Sequence, residues 1–168
     1  MPAPVELVVQ AREVGPAWPL PVYSESHVFE GPLTLDTAAY VAGDTLADLV
    51  KIQLPEHWTV AILQNVYVLD EDDQGQGFDL LFFDAGPVIS AKNAVWNTSD
   101  ADMRSCKGFA RVAAGDYVDL GGNRVADIAN LSRLLPLPAS RMLWVATISQ
   151  GTGTYTAAGL RIKLGFLR

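Results

Sequence analysis

From Tyr23 to the end of the chain, apolar and polar residues alternate in short runs separated by turn residues. The runs lie at about 23–29, 33–41, 46–54, 58–69, 77–84, 87–91, 108–113, 116–120, 141–149 and 159–167. Glu30-Gly31-Pro32, Ala42-Gly43-Asp44, Asp84-Ala85-Gly86-Pro87, Ala114-Gly115-Asp116 and Gly121-Gly122-Asn123 punctuate them. A two-residue period with Gly, Pro and Asp at roughly 8–12-residue intervals predicts an all-β fold, an antiparallel β-sandwich or jelly-roll-like body. The clearest case is the last quarter. Leu160, Ile162, Leu164 and Phe166 alternate with Arg161, Lys163 and Gly165, so one face can be buried and the other wet. The run Leu143–Ser149 precedes it across a Gly/Thr-rich connection, which predicts an antiparallel hairpin. Helical signals are few: a short turn over 100–106, capped by Ser99 or Asp100, and the helix/strand-ambiguous stretch 123–131.

The first 21 residues read differently and are taken as a unit apart from the sandwich domain of residues 22–168. Val5, Leu7 and Val9 alternate with Glu6, Val8 and Gln10, an extended arm with an apolar row. Pro16, Pro19 and Pro21 follow; each fixes φ and lacks an N–H, so this stretch is a stiff spacer and not a ladder strand. Such an arm can reach another subunit, with Trp18 as an anchor, or pack as a terminal strand on its own body.

Composition narrows the class. Apolar residues make up 49% of the chain and charged ones only 18%, which leaves little polar surface and favours an oligomer or a docked subunit. The single cysteine, Cys106, excludes an internal disulfide, and no secretory signal or membrane-spanning run is present in the sequence, so residence in the cytoplasm is expected. The net charge of −7 divides unevenly: residues 1–91 carry two basic and fourteen acidic groups (−12), and residues 92–168 carry ten and five (+5). Either strands of the two halves interleave and the charges mix, or the molecule is polar and stacks against neighbours. The acidic half and the scattered basic residues argue against a nucleic-acid partner.

Candidate chemistry is sparse. Asp70-Glu71-Asp72-Asp73-Gln74-Gly75 has the spacing of a calcium loop, but Leu81 stands where its bidentate Glu belongs, so a solvated hairpin loop is expected. His27 and His57 are not accompanied by the imidazole cluster of a metal site, and no nucleophile motif accompanies Cys106. Neither a cofactor nor a metal is expected, and no catalytic residue is assigned. Of the four tryptophans, Trp58 and Trp144 fit a core; Trp18 and Trp96, beside proline or turn residues, are candidates for an interface.

The order Tyr40-Val41-Ala42-Gly43-Asp44, Val66–Asp70 with Phe78–Phe83, the loop from Asn93 to Asp102, Leu143-Trp144-Val145 and Tyr155–Ile162 resembles the head decoration (cement, auxiliary) proteins of tailed bacteriophages. The likeness covers about residues 38–167 and leaves out the arm. It implies a jelly-roll-like structural protein that stabilises the outside of the capsid as a homotrimer. Its partners would be the major capsid protein and its own copies, its place the capsid surface of a virion assembled in the host cytoplasm. Val5, Leu7, Val9, Trp18 and Trp96 are the candidate contact residues. The alternative is a carbohydrate- or receptor-binding module of a tail or baseplate.

Overall fold

A computed structural model describes residues 25–168. The arm, with Val5, Leu7, Val9 and Trp18, lies outside the described residues. Ten strands follow in order: β1 (Ser26–Pro32), β2 (Val50–Gln53), β3 (Val60–Asp70), β4 (Phe78–Phe83), β5 (Cys106–Val112), β6 (Tyr117–Asp119), β7 (Arg124–Ile128), β8 (Arg133–Pro136), β9 (Met142–Ser149) and β10 (Leu160–Leu167). One α-helical turn, α1 (Asp100–Met103), is capped by Ser99, whose hydroxyl accepts from the Asp102 amide at 3.1 Å.

The strands form two antiparallel sheets, as the period-2 pattern predicts. The larger runs β1-β10-β3-β7-β6, and the smaller β2-β9-β4-β5. Strand β3 is long enough to serve two neighbours on one side: Val66–Asp70 pairs with β7 and Val60–Leu63 with β8. The ladders nest along the chain: β1 with β10, β2 with β9, β3 with β7, β4 with β5. Successive pairs in this nest belong to alternate sheets.

Packing follows from the alternation. Leu160, Ile162, Leu164 and Phe166 of β10 face the other sheet and are fully buried, with Leu63, Val66 and Val68 of β3 beside them. Across the gap lie Phe78, Leu80 and Phe82 of β4 and Leu143 and Val145 of β9. The continuous apolar run of β4 is also explained, because both of its faces are covered: Leu81 and Phe83 pack on the outer side of the smaller sheet. Strand β8 lies against β5 and joins the two sheets along that side.

Several expectations are corrected. Residues 143–167 are not a hairpin: β9 and β10 lie in different sheets, and residues 150–159 cross between them. A hairpin needs about 2–5 loop residues, whereas sheets stack about 10 Å apart, so a longer connection suits a crossing. Tyr155 dips from it into the core, 6.0 Å from the Tyr40 ring. The 70–75 segment is not a solvated hairpin loop either, since it crosses from β3 to β4. Asp70 is fully buried, and its carboxylate accepts from the amides of Asp72 (3.0 Å) and Gly75 (2.7 Å). Burial pushes that carboxyl above its ordinary range despite these bonds. The segments 33–41 and 87–91 are not strands: Leu33 and Leu35 are buried as the alternation requires, but the first stretch is held by scattered backbone bonds, Leu33 to Leu160, Leu35 to Ala157 and Tyr40 to Gly153, and by one isolated bridge, Leu35 to Ala47, without a continuous ladder. The ambiguous 123–131 stretch contains β7, and β8 follows where no strand is expected.

The two crossings are tied together. The Asp72 carboxylate accepts from the Thr156 amide at 2.7 Å and from its hydroxyl at 3.0 Å. It can approach only because Gly159 has no side chain; a Cβ there would collide with the carboxylate. Asp72→Ala should therefore cost about 1–3 kcal/mol in urea unfolding. Gly159→Ala should cost a similar amount by displacing the same group, and the double variant should cost less than the sum because the sites are coupled.

Three buried hydroxyls, those of Thr45, Tyr117 and Thr147, have no hydrogen-bond partner among the described residues. Thr147→Val preserves shape and removes that burden, so stability should rise by about 1 kcal/mol, a Tm gain of roughly 2–4 °C.

Candidate interaction surface

The connection from β4 to β5, residues 84–105, has no sheet to cross, since both strands are neighbours. It folds back over the outer face of the smaller sheet. Ile89 and Trp96 of this excursion, with Leu49, close over Leu81, Phe83 and Ala146, beside Trp144, Ile148 and Cys106. A second small core thus lies outside the sandwich. At Gly86 the chain passes so close to the Trp144 indole that a Cβ would sit 3.1 Å from its ring carbons. Lys51 lies over the same indole, its Nζ 4.5 Å from the ring centroid.

Backbone bonds fasten the excursion to residues 43–45. The Thr45 amide donates to the Ala94 carbonyl at 2.8 Å, the Asn93 amide to Thr45 at 2.9 Å, and the Trp96 amide to Gly43 at 2.8 Å. Lys92 pairs with Asp48 at 3.1 Å, and Lys107 with Asp84 at 3.0 Å. Within the excursion the Ser90 hydroxyl accepts from the Asn97 amide at 3.0 Å. The result is a pinned lobe that leaves Val88 and Val95 about three-quarters exposed, with Val41 60% exposed on the segment it pairs with. These three valines make the lobe apolar outward as well as inward.

Trp96 is half-buried and its ring is accounted for by this local packing. Sequence reasoning did not single out these valines, because their exposure on the excursion and on the segment paired with it depends on the tertiary fold. His27 sits on β1 with its ring edge-on to the buried Trp58, centroids 6.4 Å apart. His57 is exposed and bonds Glu25 at 2.5 Å. The Trp58 indole N–H donates to the same Glu25 oxygen at 2.7 Å. The bonds from His57 and then Trp58 hold Glu25 below the usual carboxylate range. Cys106 opens β5 in the other sheet, its thiol directed at the Gly108 carbonyl at 3.5 Å. The fold does not assemble these three residues into one site. Among the described residues no group of three or more His, Cys, Asp and Glu side chains is placed to hold a metal.

The uneven charge resolves by mixing. Lys92–Asp48, Lys107–Asp84, Arg111–Asp79, Arg124–Asp73, Lys163–Glu30 and Arg168–Glu25 each join a basic group of the second half to an acidic group of the first. Most are exposed, so each contributes little alone. Arg111 and Asp79 form a two-pronged pair at 2.7 and 2.9 Å on a buried carboxylate, and this is the strongest of them.

No protein-family model matches the chain, and no curated protein matches it. Among solved structures it shows a likeness to a chain described as Desmodium yellow mottle tymovirus. The TM-score is 0.29 with 12% identity, over 99% of this chain and 92% of that one. A likeness this distant carries no argument about the fold or its use.

Trp96→Ala should open the lobe without unfolding the sandwich. Hydrogen exchange should speed up across 84–105 and at Thr45, while amides of β3 and β10 keep their protection. Global stability should fall by about 1–2 kcal/mol, less than for a fully buried Trp.

Proposed function

We propose that the chain is a structural virion subunit that binds the outside of a phage capsid and stabilises it, a decoration or cement protein acting as a homotrimer. The observation that carries this reading is the nested pairing of β1–β10, β2–β9, β3–β7 and β4–β5 across two sheets. Folding a four-pair antiparallel ribbon over itself gives this order, which supports reading the sandwich as jelly-roll-like, an architecture that recurs in viral capsid and lectin domains. The pinned lobe and the segment paired with it add exposed apolar side chains, Val41, Val88 and Val95, which a contact with the shell could cover. His27, His57 and Cys106 take no part in chemistry on this reading. The second reading, a carbohydrate- or receptor-binding module of a tail or baseplate, draws on the same architecture through its lectin members.

The test is co-sedimentation with purified heads of a phage that encodes the chain. The protein should pellet with heads to saturation and raise their resistance to heat. Replacing Val41, Val88 and Val95 by Asp should weaken binding at least tenfold with the fold intact. Replacing His27 and His57 by Asn and Cys106 by Ser should leave binding within a few-fold. Failure to bind heads together with saturable binding to glycans would select the second reading.

A further inference from the structure

Two turns meet at one end of the β2–β9 ladder, where Gln53 pairs with Met142. The turn after β2 is closed by the Trp58 amide on the Pro55 carbonyl at 3.0 Å, and the turn before β9 by the Arg141 amide on the Pro138 carbonyl at 2.9 Å. Side chains tie them together. Gln53 Nε2 donates to the carbonyls of Leu54 and Ser140, each at 3.1 Å, and Arg141 Nε donates to the Glu56 carbonyl at 2.9 Å. A cleft of about 680 Å³ opens here, with Gln53, Pro55, Glu56, Ser140 and Arg141 on its walls and His27 of β1 at its side. This volume lies in the range of small-molecule sites, about 300–1,000 Å³.

Arg141 is the unusual member. Its φ is +56°, in the left-handed region, at a turn position that favours glycine. Its guanidinium is also fixed, with Nη1 donating to the Pro138 carbonyl at 2.7 Å beside the Nε bond to Glu56. Both bonds go to neutral carbonyls, and they leave the Nη2 donors unused. Among the described residues no carboxylate pairs with Arg141, and Glu56 on the same cleft is likewise unpaired. A fixed guanidinium without a counter-charge is prepared for a planar anion, since little side-chain freedom is lost on binding. The rest of the lining narrows the ligand. Gln53 Oε1 accepts no bond among the described residues, and with the Glu56 carboxylate and the Ser140 hydroxyl it can receive hydroxyl groups. Glu56 also disfavours a doubly charged phosphate more than a single carboxylate.

We propose that this cleft binds a sugar acid, a pyranose bearing one carboxylate, with the carboxylate on Arg141 and the hydroxyls on Gln53, Glu56 and Ser140. The proposal goes beyond the capsid reading and does not rest on it, and head binding is a separate measurement. With a net charge of −7 the chain as a whole repels anions, so a saturable response confined to this cleft cannot come from general attraction.

Titration of the full chain with glucuronate, followed by NMR, tests it. Amides of Gln53, Leu54, Glu56, Ser140 and Arg141 should shift saturably, and the uncharged methyl ester and inorganic phosphate should each bind at least tenfold more weakly. Arg141→Gly removes the cation and suits the positive φ, so the turn should survive while glucuronate binding falls at least tenfold. Ser140→Asp, at an exposed position, sets a carboxylate beside the guanidinium and should weaken binding by as much without relying on the glycine variant. No saturable shift, or shifts centred elsewhere, would overturn the proposal. Equal binding of the methyl ester would remove the role of the charge, and phosphate binding as tightly as glucuronate would make this a plain anion site; either result overturns it. So would undiminished binding by either variant in a folded chain.

Discussion

The larger sheet depends on a ladder between strands from opposite ends of the sequence. Strand β10, the last in the chain, lies between β1 and β3, and β1 touches its sheet only through β10. Strand β1 cannot be placed until the C-terminal segment arrives, whereas β3 also has β7 and β8 to hold it. Closing so long a loop is entropically costly before any contact compensates, and such topologies fold slowly. The stabilising force is burial: Leu160, Ile162, Leu164 and Phe166 leave water together when β10 inserts, each contributing roughly 1.5–3 kcal/mol. The same insertion settles the electrostatics. Pairing early strands with late ones sets the acidic first half against the basic second half, so Glu30 meets Lys163 and Asp79 meets Arg111 as consequences of register.

Nested pairs in alternate sheets force the chain to cross the sandwich between successive pairs, and crossings carry backbone polar groups past a dry interior. The 70–78 crossing meets this with the buried Asp70, which gathers two amides of its own turn. The 149–160 crossing borrows Asp72 from the first. Only the innermost pair, β4–β5, is spared, because its strands are neighbours in one sheet. There the chain can leave the sandwich, and residues 84–105 build a lobe on the outer face. The most distinctive surface of the molecule thus sits at the one long connection that the topology leaves free.

The sequence pattern is legible wherever a strand has one wet face. Strands β3, β5, β6, β9 and β10 fall within about two residues of the alternating runs, and Ser99 is legible as a cap. Alternation reports which residues are buried, however, and not what they pair with. Leu33 and Leu35 are inward as their spacing requires, yet the segment is a link and not a strand. Leu143–Ser149 and Leu160–Leu167 read as hairpin partners because the code for an inward face is the same whichever sheet supplies it. Strand β8 is short, and Pro136 and Pro138 disguise it. Trp96, beside turn residues, has the local setting of an exposed aromatic; it turns inward because the outer face of β4 and β9 is apolar, which depends on a sheet that local sequence does not specify.

A protein with 18% charged residues must account for its uncovered apolar and backbone groups. Here the accounting is uneven across the sheet edges. Strand β8 lies beside the β5 edge, and the outer face of the smaller sheet is covered by its own excursion. The β1 edge has no such cover among the described residues. Natural sheets protect an open edge with charge, proline or a bulge unless the edge is used. On β1 only Glu30 and Pro32 serve that role, both at the end far from Glu25, so Ser26 and Val28 remain as the accessible part of the ladder.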